Sequence, residues 1–283
     1  MHEYKDVLNC PSCKSSLYEI EFNKGKFLGK KCSNCSLIYL SPNISNIESI
    51  YNSENPESSP SKYYEMTRDI DYKTFVSRLL LLEKYAKKES ILDIGCNVGT
   101  FLEAARDNKW SNILGIEPIP SSAKKGQEKN IPIINDFFTK DIANSNANKF
   151  DAVYLGDVIE HLANPNQMLS YINIVLKQDG FLMIVTPNYE SLVARFLQYK
   201  PHEHILYFTK YSLENILKSN NYCVIYLFTT TRARSIKAMK YSTTFKSPSL
   251  KIIISLLSPF DRLINLMIKF FVRDEIILIA KKI

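Results

Sequence analysis

The sequence predicts an α/β fold in which a doubly wound sheet of seven strands follows a small cysteine-containing module. From residue 90 onward, short β-branched runs alternate with helical segments, which is typical of a mostly parallel sheet with helices on both faces. Two close pairs of cysteines precede this region, within the first 41 residues. The composition, with 45% hydrophobic and 23% charged residues, excludes a disordered chain, a collagen-like chain and a secreted scaffold held by disulfides.

The strands and helices of the predicted sheet follow one another in chain order. Strands are predicted at residues 91–94, 112–116, 131–134, 150–155 and 181–185, with helices at 75–82, 100–108, 121–129 and 165–176. Residues 222–230 and 275–280 predict an antiparallel pair that closes the sheet. Ligands of such sheets bind at the carboxyl ends of the strands, so the loops there hold the candidate site residues.

Four cysteines near the start of the chain have the spacing of a metal site. Their two C-x2-C pairs are separated by 18 residues, and residues 17–22 and 26–28 predict a hairpin that brings the pairs together. Four thiolates suit a tetrahedral zinc ion, so we predict a structural zinc ribbon over residues 1–41. Incidental free cysteines and a redox dithiol are the alternatives. The four cysteines are Cys10, Cys13, Cys32 and Cys35.

No targeting or membrane-spanning segment is predicted. The first residues are polar, and the most hydrophobic stretch, residues 250–268, is interrupted by charged and polar side chains. A linker rich in Ser, Asn and Pro is predicted at residues 42–62, before a second domain at residues 63–283. The expected location is the cytoplasm.

The predicted strand at residues 91–94 ends in a glycine-containing turn. After Asp93, a tight turn is possible at Gly95 and a close helix start at Gly99, which leaves backbone N–H groups facing a ligand. The run from Asp93 to Gly99 is similar to motif I, D-x-G-x-G-x-G, of the class I S-adenosylmethionine-dependent methyltransferases, with Asn97 at the middle glycine. Because Asn adopts left-handed backbone more readily than most residues, this difference is compatible with the motif. We interpret Cys96 as a small residue of the cofactor turn.

The resemblance implies a Rossmann-like fold and further contacts to S-adenosylmethionine. Glu117 follows the next strand, where these enzymes hold the two ribose hydroxyls, and a carboxylate can accept both hydrogen bonds of a diol. Asp136 and Phe137, after the third strand, match the adenine position. Gly156 and Asp157, after the fourth, would lie beside the methionine part. The cysteine module resembles the zinc ribbons that precede many bacterial methyltransferase domains.

Three histidines are the candidates for chemistry at the methyl acceptor. Residues 150–162 resemble the strand-four region of the ubiquinone-biosynthesis-like methyltransferases, which includes a Glu-His pair, here ending in His161. His202 and His204 lie in a segment similar to one beside the acceptor pocket of the same family. A neutral imidazole could take the proton of an acceptor hydroxyl. Alternatively, the histidines could hold a divalent metal with Glu160 or Glu203, as some relatives do, or His161 could be structural.

The absence of motifs typical of other methyltransferase classes narrows the range of expected methyl acceptors. The chain lacks the Asn/Asp-Pro-Pro-aromatic motif of adenine-N6 enzymes and a cysteine placed as the nucleophile of pyrimidine-C5 enzymes. Sugar C-methyltransferases that start with a zinc module carry a further C-terminal domain, for which 283 residues leave no room. We therefore expect O-methylation, before N-methylation, of a sugar or other small molecule in a surface-glycan or natural-product pathway. The alternatives are an RNA methyltransferase whose ribbon grips RNA and a non-catalytic zinc-ribbon interaction protein.

The basic charge of the chain is concentrated near its C-terminal end. The formal net charge is +7, and residues 215–260 contain seven Lys or Arg and no Asp or Glu, so the rest of the chain is balanced. Much of this segment belongs to a predicted helical insertion at residues 231–274, whose apolar helix faces predict a lid or a dimer contact. The alternative is a peripheral contact with the inner membrane face, or with a lipid-linked or phosphorylated acceptor. A local basic segment favours such a contact over a general nucleic-acid partner.

Overall fold

The computed structural model describes residues 4–44, 60–191, 195, 201, 204–231 and 273–283. His202, most of the predicted linker and the predicted insertion, apart from residues 231, 273 and 274, lie outside the described residues. In the part of the chain that is described, no helix combines the length and the apolar character that a membrane span requires.

Thirteen strands and six α-helices are labelled here in chain order among the described residues. The strands are β1 (Tyr4–Lys5), β2 (Tyr18–Lys24), β3 (Phe27–Cys32), β4 (Ile38–Ser41), β5 (Asn43–Ile44), β6 (Ser90–Ile94), β7 (Asn112–Ile116), β8 (Ile133–Ile134), β9 (Phe150–Gly156), β10 (Leu176–Pro187), β11 (Leu206–Tyr207), β12 (Tyr222–Thr230) and β13 (Glu275–Lys282). The helices are α1 (Pro60–Leu82), α2 (Thr100–Asp107), α3 (Pro120–Gln127), α4 (Lys140–Ser145), α5 (Pro165–Val175) and α6 (Lys210–Ser219).

The central sheet has seven strands in the order β12-β13-β10-β9-β6-β7-β8. Strands β6 to β10 are parallel to one another, whereas β13 is antiparallel to both β10 and β12. The chain moves outward in one direction from β6 to β8 and in the other from β9 to β10, so the strand order reverses between β6 and β9. A crevice outside the carboxyl ends of the strands is the expected ligand site at such a reversal. The predicted doubly wound sheet and its antiparallel closing pair are confirmed.

Both faces of the central sheet are buried, as the continuous apolar runs of its strands require. Leu92 and Val153 belong to one apolar core, and Ile91 and Ala152 belong to a second core on the opposite face. This alternation follows from the two-residue period of a strand, whose successive side chains point to opposite faces. The helices that follow the parallel strands cover these faces. The ends of the strands, and the loops that begin there, are therefore held in fixed positions.

A second sheet joins the cysteine module to the larger domain. Its order is β2-β3-β4-β11, and every pairing is antiparallel. The hairpin of β2 and β3 is the one predicted around the turn that contains Gly25, which has a φ of 63°. Strand β11, in contrast, belongs to the larger domain, and no local sequence pattern predicted it.

Several element boundaries differ from the sequence-based prediction. Helix α1 begins at Pro60, within the predicted linker, and α4 was not predicted, although Thr139 caps it by accepting a hydrogen bond from the N–H of Ile142. Helix α5 ends at Val175, and β10 starts at the next residue. The Asp179-Gly180 pair lies at an irregularity inside β10, between Leu176 and Phe181.

Candidate functional site

In the turn after β6, three alternate residues have left-handed backbone. The φ angles of Gly95, Asn97 and Gly99 are 77°, 49° and 74°. A Cβ atom at Gly95 would lie 2.6 Å from Cγ2 of Val158, which follows β9, so glycine is needed where the two loops approach each other. Asn97 provides a local bond for its own turn, because its Oδ1 accepts a hydrogen bond from the N–H of Val98 at 2.8 Å. The turn thus reaches the carboxyl end of β9.

Glu117, directly after β7, faces this turn with its carboxylate. Its Oε2 accepts a hydrogen bond from the N–H of Asn97 at 2.7 Å, and its Oε1 accepts one from the N–H of Ile119 at 2.9 Å. The side chain is buried, at 4% exposure. Two backbone donors therefore fix the orientation of the carboxylate, whose remaining lone pairs are suited to the hydroxyls of a ligand.

Asp93 and Cys96 lie beneath the same turn. Asp93 is the penultimate residue of β6 and is 3% exposed. Burial, together with the nearby negative charge of Glu117, raises the pKa of Asp93 well above its usual value. The Cys96 thiol is also buried, and burial raises its pKa as well. A thiol in this state is a poor nucleophile, which agrees with a packing role for Cys96.

Asp136 and Phe137 follow the short strand β8 at the next position along the sheet. Asp136 is exposed, and its Oδ1 accepts a hydrogen bond from the N–H of Phe137 at 2.7 Å. The neighbouring Asn135 donates to the carbonyl oxygen of Glu117 at 2.8 Å. This bond ties the loop after β8 to the loop after β7, so the three loops that the sequence singled out form one continuous rim.

The loop after β9 lies across the strand reversal from the turn after β6. Gly156 ends β9, and a Cβ atom there would lie 2.5 Å from the hydroxyl oxygen of Tyr154. Asp157 has a φ of 55°, and its N–H donates to the carbonyl oxygen of Val185 at 2.9 Å. The chain therefore bends sharply at these two residues and enters the short 3-10 turn Ile159–His161.

A carboxylate and two imidazoles form a compact cluster beside this turn. One oxygen of Glu160 and one ring nitrogen each of His161 and His204 lie within 4.8 Å of one another. The rings of His161 and His204 are nearly perpendicular, with centroids 4.8 Å apart. Glu160 is 2% exposed and His204 is 7% exposed, whereas His161 is half-buried. One carboxylate and two imidazoles make a donor set that fits a divalent transition metal.

The cluster is held by neighbouring groups that the sequence did not single out. The hydroxyl of Thr186, near the end of β10, donates to Glu160 Oε2 at 3.0 Å. The backbone N–H of Ile205 donates to the carbonyl oxygen of Glu160 at 3.0 Å. Polar residues at the carboxyl end of a strand, such as Thr186, could have been found from the strand pattern alone, whereas the contact of Ile205 depends on tertiary structure.

The four cysteines of the N-terminal module come together as the spacing predicts. Their sulfur atoms all lie within 4.8 Å of one another, with 3.5 Å between Cys10 and Cys35 and 3.4 Å between Cys13 and Cys32. Tetrahedral zinc with Zn–S bonds of about 2.3 Å separates its sulfurs by roughly 3.8 Å. The donor set and its spacing therefore fit structural zinc, and all four cysteines are free thiols.

Comparison with known proteins assigns the larger domain to a family. A family model described as a methyltransferase domain matches residues 64–227, more than half of the chain. A ubiquinone biosynthesis O-methyltransferase of Actinobacillus pleuropneumoniae is 30% identical over 128 residues, covering 42% of this chain and 53% of that protein. The human mitochondrial protein of the same name is 28% identical over 153 residues, covering 47% and 41%. The chain thus spans about half the length, or less, of these curated relatives.

Solved structures agree on the fold. A SAM-dependent methyltransferase of Archaeoglobus fulgidus superposes with a TM-score of 0.54 at 21% identity, covering 78% of this chain and 99% of that one. A SAM-dependent methyltransferase of Thermotoga maritima superposes with a TM-score of 0.56 at 12% identity, covering 84% and 100%. At these identities the likeness establishes the arrangement of strands and helices.

Proposed function

The chain belongs to the methyltransferase domain family, and from this we propose that it transfers the methyl group of S-adenosylmethionine to a hydroxyl group of a small molecule. The observation that carries the proposal is the continuous rim of Gly95–Gly99, Glu117 and Asp136 beside the Glu160–His161–His204 cluster. The first set suits a nucleoside cofactor, and the second suits an acceptor that must lose a proton.

Different residues of the rim would contact different parts of the cofactor. The turn from Gly95 to Gly99 presents backbone N–H groups, Glu117 accepts from the ribose hydroxyls, and Asp136 with Phe137 holds the adenine. Gly156 and Asp157 lie at the methionine end. When bound, S-adenosylmethionine supplies an activated methyl group on a positively charged sulfur, so correct placement of the acceptor provides much of the rate.

His161 and His204 are the proposed proton acceptors, with His202 as a further candidate. An imidazole within hydrogen-bond reach of the acceptor hydroxyl takes its proton as the oxygen is methylated. The buried carboxylate of Glu160 stabilises the positive charge that the imidazole then acquires. Thr186 fixes the orientation of that carboxylate through its hydrogen bond.

The names of the relatives and the charge of the chain support the proposed acceptor class. The curated relatives are named as O-methyltransferases, which supports a hydroxyl acceptor. We propose a sugar or another small metabolite, and the basic residues between 215 and 260 favour one that carries a phosphate or is lipid-linked. The alternative of an RNA substrate requires RNA affinity that falls steeply with salt.

The proposal includes a structural zinc ion at the cysteines and, as an alternative to an imidazole base, a divalent metal at the acceptor site. The four cysteines would hold a structural zinc ion, which metal analysis of the purified protein detects directly. Glu160, His161 and His204 fit a divalent metal as an alternative to direct proton transfer, because such an ion lowers the pKa of a bound hydroxyl. Methyl transfer that survives a chelator at unchanged zinc content supports the imidazole base, and transfer restored only by added divalent metal supports the ion.

Calorimetric titration with S-adenosylhomocysteine, the product of the cofactor, tests the proposed function. We expect saturable binding by the wild-type protein, and at least about tenfold weaker binding by Glu117→Ala, because hydrogen bonds to a charged group are lost. Glu128→Ala, which removes an exposed carboxylate close by in sequence, is the matched control and should bind like the wild type. Absence of binding by the wild type, or equal affinity of Glu117→Ala, contradicts the proposed cofactor site.

A further inference from the structure

The cysteine module and the acceptor side of the site share one sheet. Strand β4 of the module pairs antiparallel with β11, so that Tyr39 lies opposite Leu206 and Ile38 lies opposite Tyr207. Strand β11 begins two residues after His204. The module is therefore continuous, through main-chain pairing, with the segment that carries one of the two clustered imidazoles.

Two backbone hydrogen bonds connect the module to the cluster. The N–H of Leu40 donates to the carbonyl oxygen of Ile205 at 3.0 Å, and the N–H of Ile205 donates to the carbonyl oxygen of Glu160 at 3.0 Å. Because Ile205 directly follows His204 and Glu160 directly precedes His161, the two bonds fix the main chain beside both imidazoles.

Side-chain packing reinforces this pairing on both faces of the small sheet. On one face, Tyr39 packs in the core that contains Cys10, Cys32 and Cys35 together with Leu206. On the other face, Ile38 and Leu40 pack in a cluster with Tyr189 and Tyr207 of the larger domain. Buried on both sides, β4 cannot move away from β11 without opening apolar surface, which costs roughly 25 cal/mol for each Å² exposed.

We propose that the cysteine module is a positioning element of the acceptor site. In this inference Leu40 holds Ile205 through its backbone N–H, and Ile205 in turn holds His204 against His161 and Glu160. With zinc bound, the four cysteines would keep β4 in place and so act on the imidazole pair from a distance. In the described part of the chain, strands β6 and β7, which lead into the cofactor loops, belong to the other sheet and do not pair with β4 or β11. The inference rests on the proposed function for the role of the histidines, but the connection itself can be tested without an acceptor.

Paired substitutions at Leu40 isolate the backbone bond. Leu40→Pro and Leu40→Ala both remove the buried side chain, but only proline also lacks the N–H that donates to Ile205. In Leu40→Pro we expect hydrogen exchange of residues 204–208 to be up to about tenfold faster than in Leu40→Ala, the change that loss of one buried hydrogen bond predicts. His204, which is 7% exposed, should also react faster with diethyl pyrocarbonate. Zinc content and affinity for S-adenosylhomocysteine should be the same in both variants.

Removal of zinc from the wild-type chain by a chelator is the second measurement, and it remains informative if Leu40→Pro does not fold. Faster exchange in residues 204–208, with unchanged exchange in residues 90–117, is the expected result. The inference is overturned if residues 204–208 and the reactivity of His204 are unchanged in Leu40→Pro relative to Leu40→Ala, or after complete loss of zinc. If the wild-type protein does not bind S-adenosylhomocysteine, the proposed function is refuted. The exchange result can still be interpreted, because that measurement does not require the cofactor.

Discussion

Asn97 and Glu117 form the smallest working unit of the proposed cofactor site. The left-handed backbone of Asn97 turns its N–H toward the Glu117 carboxylate, and the resulting bond of 2.7 Å orients both residues through a contact within the chain. A site that is already ordered loses less conformational entropy on binding, which increases affinity. The position of Asn97 in a motif that usually has glycine there was predictable, because asparagine is among the few residues that tolerate this backbone.

Asp93 should make the stability of the folded protein depend on pH. Because burial and Glu117 raise its pKa in the folded protein, the folded state binds a proton that the unfolded state has already lost above about pH 4. Its contribution to stability is therefore full at low pH and is lost as the pH rises toward the raised pKa. We expect Asp93→Asn to gain stability relative to the wild type between pH 5 and pH 8, by at most about 1.4 kcal/mol per pH unit, in urea unfolding.

The exposed Asp141→Asn serves as the control for this series, since its carboxyl lies at the start of α4 in contact with solvent. A stability difference between Asp93→Asn and wild type that stays constant with pH would show that Asp93 does not carry a raised pKa.

At the scale of elements, a buried ion pair joins the first helix of the larger domain to the last strand. Arg78 of α1 and Glu275 of β13 are 2.9 Å apart, with side-chain exposures of 7% and 1%. Arg78 also donates to the hydroxyl oxygen of Tyr154 in β9, so one guanidinium connects three elements. Glu275 is 197 residues from Arg78, and its strand directly follows the predicted insertion.

Loss of this pair should be costly because it leaves a buried charge without its counterion. We expect Glu275→Gln to lower the free energy of unfolding by about 3–5 kcal/mol, measured by urea denaturation at pH 7. Glu214→Gln removes the carboxylate of the surface pair with Lys218 and should cost no more than about 0.5 kcal/mol. Equal effects of the two substitutions would contradict the structural role assigned to the buried pair.

Prediction from sequence succeeded for elements with a strong local pattern and failed where the signal was not local. Strand β7 was predicted with its observed bounds, and β6 was predicted to within one residue, because both are short β-branched runs between helices. Strand β11 has two residues and pairs with a segment more than 160 positions earlier, so no local pattern could reveal it. The role of Ile205 depends entirely on that pairing and was missed for the same reason.

At the scale of the whole molecule, the strand reversal separates two halves with different tasks. The loops after β6, β7 and β8 form the rim proposed for the cofactor, and the loop after β9 meets β11 in the cluster proposed for the acceptor. The cysteine module lies on the acceptor side, where it pairs with β11. In the proposed arrangement, a module distant in sequence from the histidines would act on them through β11 without contacting the cofactor.

In the proposed complex, this rim holds S-adenosylmethionine with its sulfur facing the Glu160–His161–His204 cluster. A crystal structure of the protein with S-adenosylhomocysteine tests it most directly. We expect both ribose hydroxyls within hydrogen-bond distance of the Glu117 carboxylate, the adenine beside Asp136 and Phe137, and the sulfur on the side of His161. A ligand bound elsewhere, or one whose ribose does not contact Glu117, would contradict this cofactor site.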